Sequence, residues 1–189
     1  ARLVCCQNDY TKDITTRTMD VVCINRYYGW YNLSGDLDNA AYAFKKELDF
    51  WETIDKPLIL SEYGADTVAG MHGFAPEMFT EEFQVEYYRT INGCLDERRF
   101  VVGEWPWNFA DFSTQQGPMR VGSCNRKGLF TRERTPKLAA HYFRDRLGQK
   151  GTERPVSTTP ETEKSPLFFA TAGFFAIISD SVCPDRRRP

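Results

Sequence analysis

Pro57-Leu58-Ile59-Leu60-Ser61-Glu62-Tyr63-Gly64-Ala65-Asp66 is the stretch on which the reading of this chain turns. It opens with a short apolar run between a proline and a glycine. Such a run suits a strand buried on both faces, the condition of a parallel sheet covered by helices. Two carboxylates follow within the next few residues. The C-terminal edge of a parallel sheet is where active sites are built, whether the sheet is open or closed into a barrel.

The same pattern repeats outward. Val21-Val22-Cys23-Ile24 and Phe100-Val101-Val102-Gly103 read as further strands, and Leu3 to Cys6 as a weaker one. Helical patterns separate them. One runs from about Asp38 to Thr53, with Phe44, Leu48 and Trp51 on one face. A second starts after Thr80, an N-cap, with Glu81 and Glu82 at the positive end of the helix dipole. Its apolar stripe is Phe83, Tyr87, Ile91 and Leu95. For the third, Thr135 reads as the cap, Pro136 as the first helical residue and Gly148 as the stop. This alternation predicts an α/β fold with a parallel sheet and outer helices. Periodicity does not choose between an open sheet and a barrel.

The chain divides at about Lys150, into residues 1–150 and a tail, 151–189. Gly151 to Ser165 is rich in Pro, Thr and Glu and reads as a linker. Pro166 to Ile178 is apolar but shorter than the roughly 20 residues that a membrane-spanning helix needs, so no membrane span is expected.

Composition narrows the function classes. Apolar content of 41% and aromatic content of 14% describe a folded domain rather than a disordered one. A net charge of -2 argues against a nucleic-acid partner. Six cysteines without a Cys-x-x-Cys pair, and only two histidines, predict buried thiols rather than a metal site. No cofactor is implied. The opening residues, Ala1 to Cys6, lack a signal-peptide pattern and resemble the interior of a longer protein.

Four clusters carry chemistry, three of them directly after strands. Glu62 could attack an anomeric carbon if a second carboxylic acid protonated the leaving oxygen. Asn25-Arg26-Tyr27-Tyr28-Gly29-Trp30-Tyr31 offers flat apolar faces and hydroxyl handles to a sugar, or else forms an aromatic core. Glu104-Trp105-Pro106-Trp107-Asn108-Phe109-Ala110-Asp111-Phe112 adds two tryptophans and two carboxylates, with the same two readings. Arg120 and Asn125-Arg126-Lys127-Gly128 could grip an anion, or form a surface charge run.

These stretches resemble β-glucuronidases of glycoside hydrolase family 2, which also contains β-galactosidases. The likeness extends through Ser61 to Thr67, Ala69-Gly70, Val101 to Glu104, Trp107 to Phe112 and Lys127 to Arg132. It runs from about residue 20 to 148, and more faintly from residue 3. It implies a (β/α)8 TIM barrel, of which this chain would hold about strands five to eight. It implies a retaining hydrolase acting on terminal β-D-glucuronic acid, with Glu62 as nucleophile and Tyr27 holding it. Asn25, Tyr28, Tyr31 and Trp107 would line the sugar pocket. Asn125 and Lys127 would grip the glucuronate carboxylate, beside Arg120. Ser123-Cys124 departs from the usual approach to that motif. The resemblance further implies a lysosomal, homotetrameric full-length protein, and Asn32-Leu33-Ser34 is a glycosylation sequon.

One element of the family pattern is missing. Its acid/base is a Glu in an Asn-Glu pair, and no Asn-Glu occurs in residues 1–189. The chain alone is therefore expected to be inactive. Two other readings stand beside this one: a related β-galactosidase or β-galacturonidase, and a non-catalytic half-barrel that binds sugar or a partner.

Overall fold

Four strands run parallel, side by side, in chain order. In the computed structural model, which describes residues 2–5 and 9–152, these are β1 (Arg2–Cys5), β2 (Val21–Asn25), β3 (Leu58–Tyr63) and β4 (Val101–Pro106). Helix α1 (Leu37–Glu52) connects β2 to β3, α2 (Glu81–Asp96) connects β3 to β4, and α3 (Leu138–Thr152) follows. A small antiparallel ladder, β5 (Phe112–Ser113) with β6 (Cys124–Asn125), stands in the long segment before α3. The chain divides into Ala1–Thr152 and Glu153–Pro189. The second unit, with nearly all of the expected linker and tail, lies outside the described residues.

Successive strand residues point to opposite faces. Val22, Ile24, Leu58 and Leu60 lie on one face and are buried; Val21, Cys23 and Ile59 cluster on the other, with Trp105 against them. Burial of both faces explains why β2 and β3 read as unbroken apolar runs. Tyr87 of α2 reaches the end of β3, its hydroxyl accepting from the Gly64 amide at 3.2 Å. Cys94 carries a buried free thiol and Cys124 a partly buried one, and Cys23 is buried in the sheet. Cys5, Cys6 and Cys183 have no described side chains.

One helix starts where the sequence suggests and another does not. Helix α1 begins at Leu37, because Asp36 accepts from the Asn39 amide at 3.1 Å and so caps it. Helix α3 begins at Leu138, not Pro136. Pro136 is held in a β-bridge to Phe130, and the Leu138 amide is capped at 2.7 Å by Glu81, from the first turn of α2. Gly148 does not stop α3, which continues to Thr152. The cap at Thr80 is where the sequence places it, its hydroxyl accepting from the Phe83 amide at 3.1 Å.

Two glycines make opposite demands. A Cβ on Gly128 would lie 2.3 Å from the Asp111 nitrogen and 2.4 Å from the Phe130 oxygen, both backbone atoms. Gly93 sits exposed inside α2 with nothing within 4 Å of such an atom. Gly128→Ala is expected to cost about 1–3 kcal/mol through overpacking. Gly93→Ala should add about 0.4–1 kcal/mol by restricting the unfolded chain. Urea unfolding of both variants checks the pair, and a neutral Gly128→Ala would contradict the tight loop packing.

Candidate active site

Glu62 is the fifth residue of β3, at the edge where β2 and β4 also end. Its neighbour in register is Asn25, where the β2–β3 pairing shifts by one residue and leaves Ser61 of β3 without a register partner. The Arg26 amide donates to the Glu62 carbonyl at 2.9 Å. That bond delivers the next residue, Tyr27, to the Glu62 side chain. Tyr27 donates its hydroxyl to Glu62 Oε2 at 3.0 Å. Burial, and next the Glu62 charge, push the Tyr27 phenol well above its ordinary value. Tyr27 therefore stays protonated and keeps donating.

The loop bearing Tyr27 is fixed from behind by Glu47, a fully buried carboxylate of α1. Glu47 accepts from Arg26 Nε at 2.7 Å, the Tyr28 hydroxyl at 2.9 Å and Trp51 Nε1 at 2.8 Å. Tyr28, expected among the sugar contacts, thus directs its hydroxyl to α1. Burial, then Glu47, push the Tyr28 phenol up. Asn25 accepts from the Ser61 hydroxyl at 2.7 Å, beside Glu62.

A second group gathers around Asp66, four residues beyond Glu62. Lys127, fully buried, donates Nζ to Asp66 Oδ2 and, at 2.9 Å, to the Tyr31 hydroxyl. Arg120 reaches the same two partners, Asp66 Oδ2 at 3.2 Å and Tyr31 at 2.8 Å. The other Asp66 oxygen accepts from the Arg126 amide at 2.8 Å. Asn125 is buried, and its Oδ1 accepts from the Lys127 amide at 3.2 Å. Ser123 takes a left-handed backbone, φ +53°, and Cys124 then enters the β5–β6 ladder.

Tyr27 touches both groups. Its hydroxyl holds Glu62, while its ring stands 5.1 Å from that of Tyr31 and 5.7 Å from the Lys127 ammonium. The ammonium also lies over Tyr31 at 4.7 Å and Trp30 at 5.3 Å, close enough for cation–π attraction. The Glu62 carboxylate and the Lys127 and Arg120 cations thus share one aromatic wall. Trp107 closes the β4 side: its amide donates to the Tyr63 carbonyl at 2.8 Å, and its ring packs edge-on to Phe112 at 6.2 Å.

Two carboxylates grouped with the Trp107 cluster turn away from the site. Glu104 accepts from Tyr63 at 3.2 Å, from Asn92, and from Arg146 Nε at 3.0 Å, tying β4 to α2 and α3. Asp111 accepts from Lys137 Nζ at 2.9 Å. Among the described residues there is no group of three or more His, Cys, Asp or Glu suited to a metal ion.

The profile of glycosyl hydrolases family 2, TIM barrel domain, matches residues 1–150. The chain belongs to this family. The four parallel strands and their helices are accordingly part of a TIM barrel. Family 2 relatives are similar along most of the chain. A β-glucuronidase of Rattus norvegicus is 41% identical over 158 residues, which is 82% of this chain and 24% of that protein. One of Paenibacillus borealis is 47% identical over 133 residues, 70% of this chain and 22% of that protein. The structure of Faecalibacterium prausnitzii β-glucuronidase superposes with a TM-score of 0.76 and 65% identity, over 78% of this chain and 25% of that one. Bifidobacterium dentium β-glucuronidase, complexed with coumarin-3-O-glucuronide, gives 0.75 and 64%, over 78% and 23%. This chain spans about a quarter of the length of these relatives.

Asp66→Asn tests the cation cluster. It leaves Lys127 buried without its countercharge, which typically costs about 3–5 kcal/mol. Urea unfolding should show a loss of that order. A change below about 1 kcal/mol, the usual range of exposed pairs, would mean that Asp66 does not hold the cluster.

Proposed function

We infer that the full-length protein is a retaining β-glucuronidase whose nucleophile is Glu62. The observation that carries this reading is the shared wall: Tyr27 bonds Glu62 and packs against the Lys127 ammonium. A glucuronide needs both features at once, a carboxylate at its anomeric carbon and a cation at its C6 carboxylate. A galactoside presents no anion to Lys127 and Arg120. A β-galacturonidase would need the same cations, and the B. dentium relative's coumarin glucuronide favours the gluco configuration.

In the proposed reaction Glu62 attacks the anomeric carbon as the glycosidic bond breaks, forming a glycosyl-enzyme. A second carboxylic acid protonates the departing oxygen and then activates water to release glucuronate. Residues 1–189 contain no Asn-Glu pair, so that acid/base lies elsewhere in the full-length protein. The two carboxyls would stand about 5–5.5 Å apart, as direct attack requires. Tyr27 steadies the Glu62 carboxylate. Tyr31, Trp107, Arg120, Asn125 and Lys127 seat the sugar, and Asn25 supports the edge beside Glu62. Tyr28 acts through Glu47 rather than on the sugar. Homotetramer formation is part of the same reading. A lysosomal location rests on mammalian relatives, while bacterial structures share more of the chain's residues at 64–65% identity.

Three outcomes are expected. Residues 1–189 alone should turn over no chromogenic glucuronide at an enzyme's rate, since general-acid help worth about 10²–10⁴-fold is missing. In the full-length protein, Glu62→Ala should nearly abolish turnover, and azide or formate should restore part of it. A 2-fluoro glucuronide should label the peptide containing Glu62, and a label on Glu104 or Asp66 would sink the assignment. Tyr27→Phe removes a hydrogen bond to a charged group, so kcat/KM should drop roughly ten- to a hundred-fold. An unchanged rate would show that Glu62 does not depend on Tyr27.

A further inference from the structure

The anion-binding lysine is not the only buried lysine beneath the site. Lys137, just before α3, is fully buried at its side chain. Its ammonium donates to three acceptors: the Thr67 carbonyl at 3.0 Å, the Arg126 carbonyl at 2.9 Å and Asp111 Oδ1 at 2.9 Å. An ammonium has three N–H bonds, so all of them are used.

The three acceptors belong to three separate stretches. Thr67 follows Asp66, Arg126 lies between Asn125 and Lys127, and Asp111 ends the Trp107 segment. The same stretches are already laced together. The Thr67 amide donates to the Arg126 carbonyl at 2.9 Å, and the Arg126 amide donates to Asp66. Asp111 Oδ1 also accepts from the Gly128 amide at 3.0 Å. Lys137 thus holds the carbonyl of Arg126, in the peptide that leads into Lys127 and one residue after Asn125.

Its burial is costly. Desolvation pushes the Lys137 ammonium down from its ordinary value and the Asp111 carboxyl up, each against the pull of the other. A buried pair of this kind adds little stability compared with apolar packing of the same volume. What it does supply is a fixed geometry with no rotational slack.

We propose that Lys137 is a positioning residue for uronate selectivity, holding the Asn125–Lys127 segment at the height where its polar side chains meet a C6 carboxylate. Lys137 does not touch the substrate. It acts through Arg126 and Thr67, and the inference rests on the glucuronidase reading above.

The test uses the full-length protein and two chromogenic substrates, a β-glucuronide and the β-glucoside that lacks only the C6 charge. Lys137→Met should lower kcat/KM for the glucuronide about ten- to a hundred-fold, the penalty of a clamp displaced by about 1 Å. Its kcat/KM for the glucoside should change by less than about threefold, a small fraction of that penalty. A parallel loss on both substrates would make Lys137 merely structural and overturn the proposal. No loss on either would overturn it as well. If Lys137→Met does not fold, Asp111→Asn decides. It keeps the side-chain shape and an acceptor for Gly128 while removing the charge, and the same selective loss is expected. Lys127→Ala run alongside separates the two levels of inference. A selective loss with Lys127→Ala but not with Lys137→Met removes the positioning role alone. A non-selective loss with Lys127→Ala removes the uronate reading itself.

Discussion

One buried carboxylate, Asp66, gathers Lys127 and Arg120 on one oxygen and the Arg126 amide on the other. Without it, a buried and a partly buried cation would stand close together, at an electrostatic cost that grows as the local dielectric falls. With it, the cations converge on Tyr31 and leave their charge facing the same wall that Tyr27 lends to Glu62. The long segment from β4 to α3 has little regular structure of its own, only the two-residue strands β5 and β6. Its shape comes from the backbone bonds that zip Asn108–Phe109 against Lys127–Phe130, and from this carboxylate beneath it.

Behind the site lies a second layer of ionisable groups among apolar residues. Glu47 serves the Tyr27 loop, Lys137 the Lys127 segment, and Glu104 the junction of β4 with α2 and α3. Each is saturated by several partners, as buried charge requires. The arrangement divides the labour. Apolar burial in β2, β3 and the helix stripes supplies the stability, while buried charges fix which way the loops point.

Much of the fold was legible in the sequence because its signals are local. An apolar run between Pro57 and Gly64 needs no long-range information to read as a strand. Thr80 caps α2 through a bond only three residues long. The start of α3 was misplaced because its deciding contacts are distant: Glu81 caps it across 57 positions, and Phe130 holds Pro136 in a bridge. The candidate site shows the same limit. Glu62, Tyr27 and Lys127 stand out as residues that follow strands or sit in glycine-flanked loops. Tyr28 and Glu104 carry the same signal, yet Tyr28 turns to Glu47 and Glu104 to Arg146. The sign that was present for Glu47 is its place on the apolar stripe of α1, beside Leu48 and Trp51. A charge on such a stripe marks a buried partner. Lys137 offers no comparable sign, since its three acceptors lie 11, 26 and 70 positions away.

The Tyr31 hydroxyl accepts from Lys127 and from Arg120 at once. An oxygen of this kind has two lone pairs and one proton. With both lone pairs taken, only the proton remains to be shared. The hydroxyl has lost the ambivalence that normally lets a tyrosine greet either a donor or an acceptor. At that point the pocket speaks with one polarity: Tyr31 can give a hydrogen and cannot receive one. A visiting group that brings its own hydrogen, such as an ammonium, meets no welcome there, whereas an oxygen rich in lone pairs does.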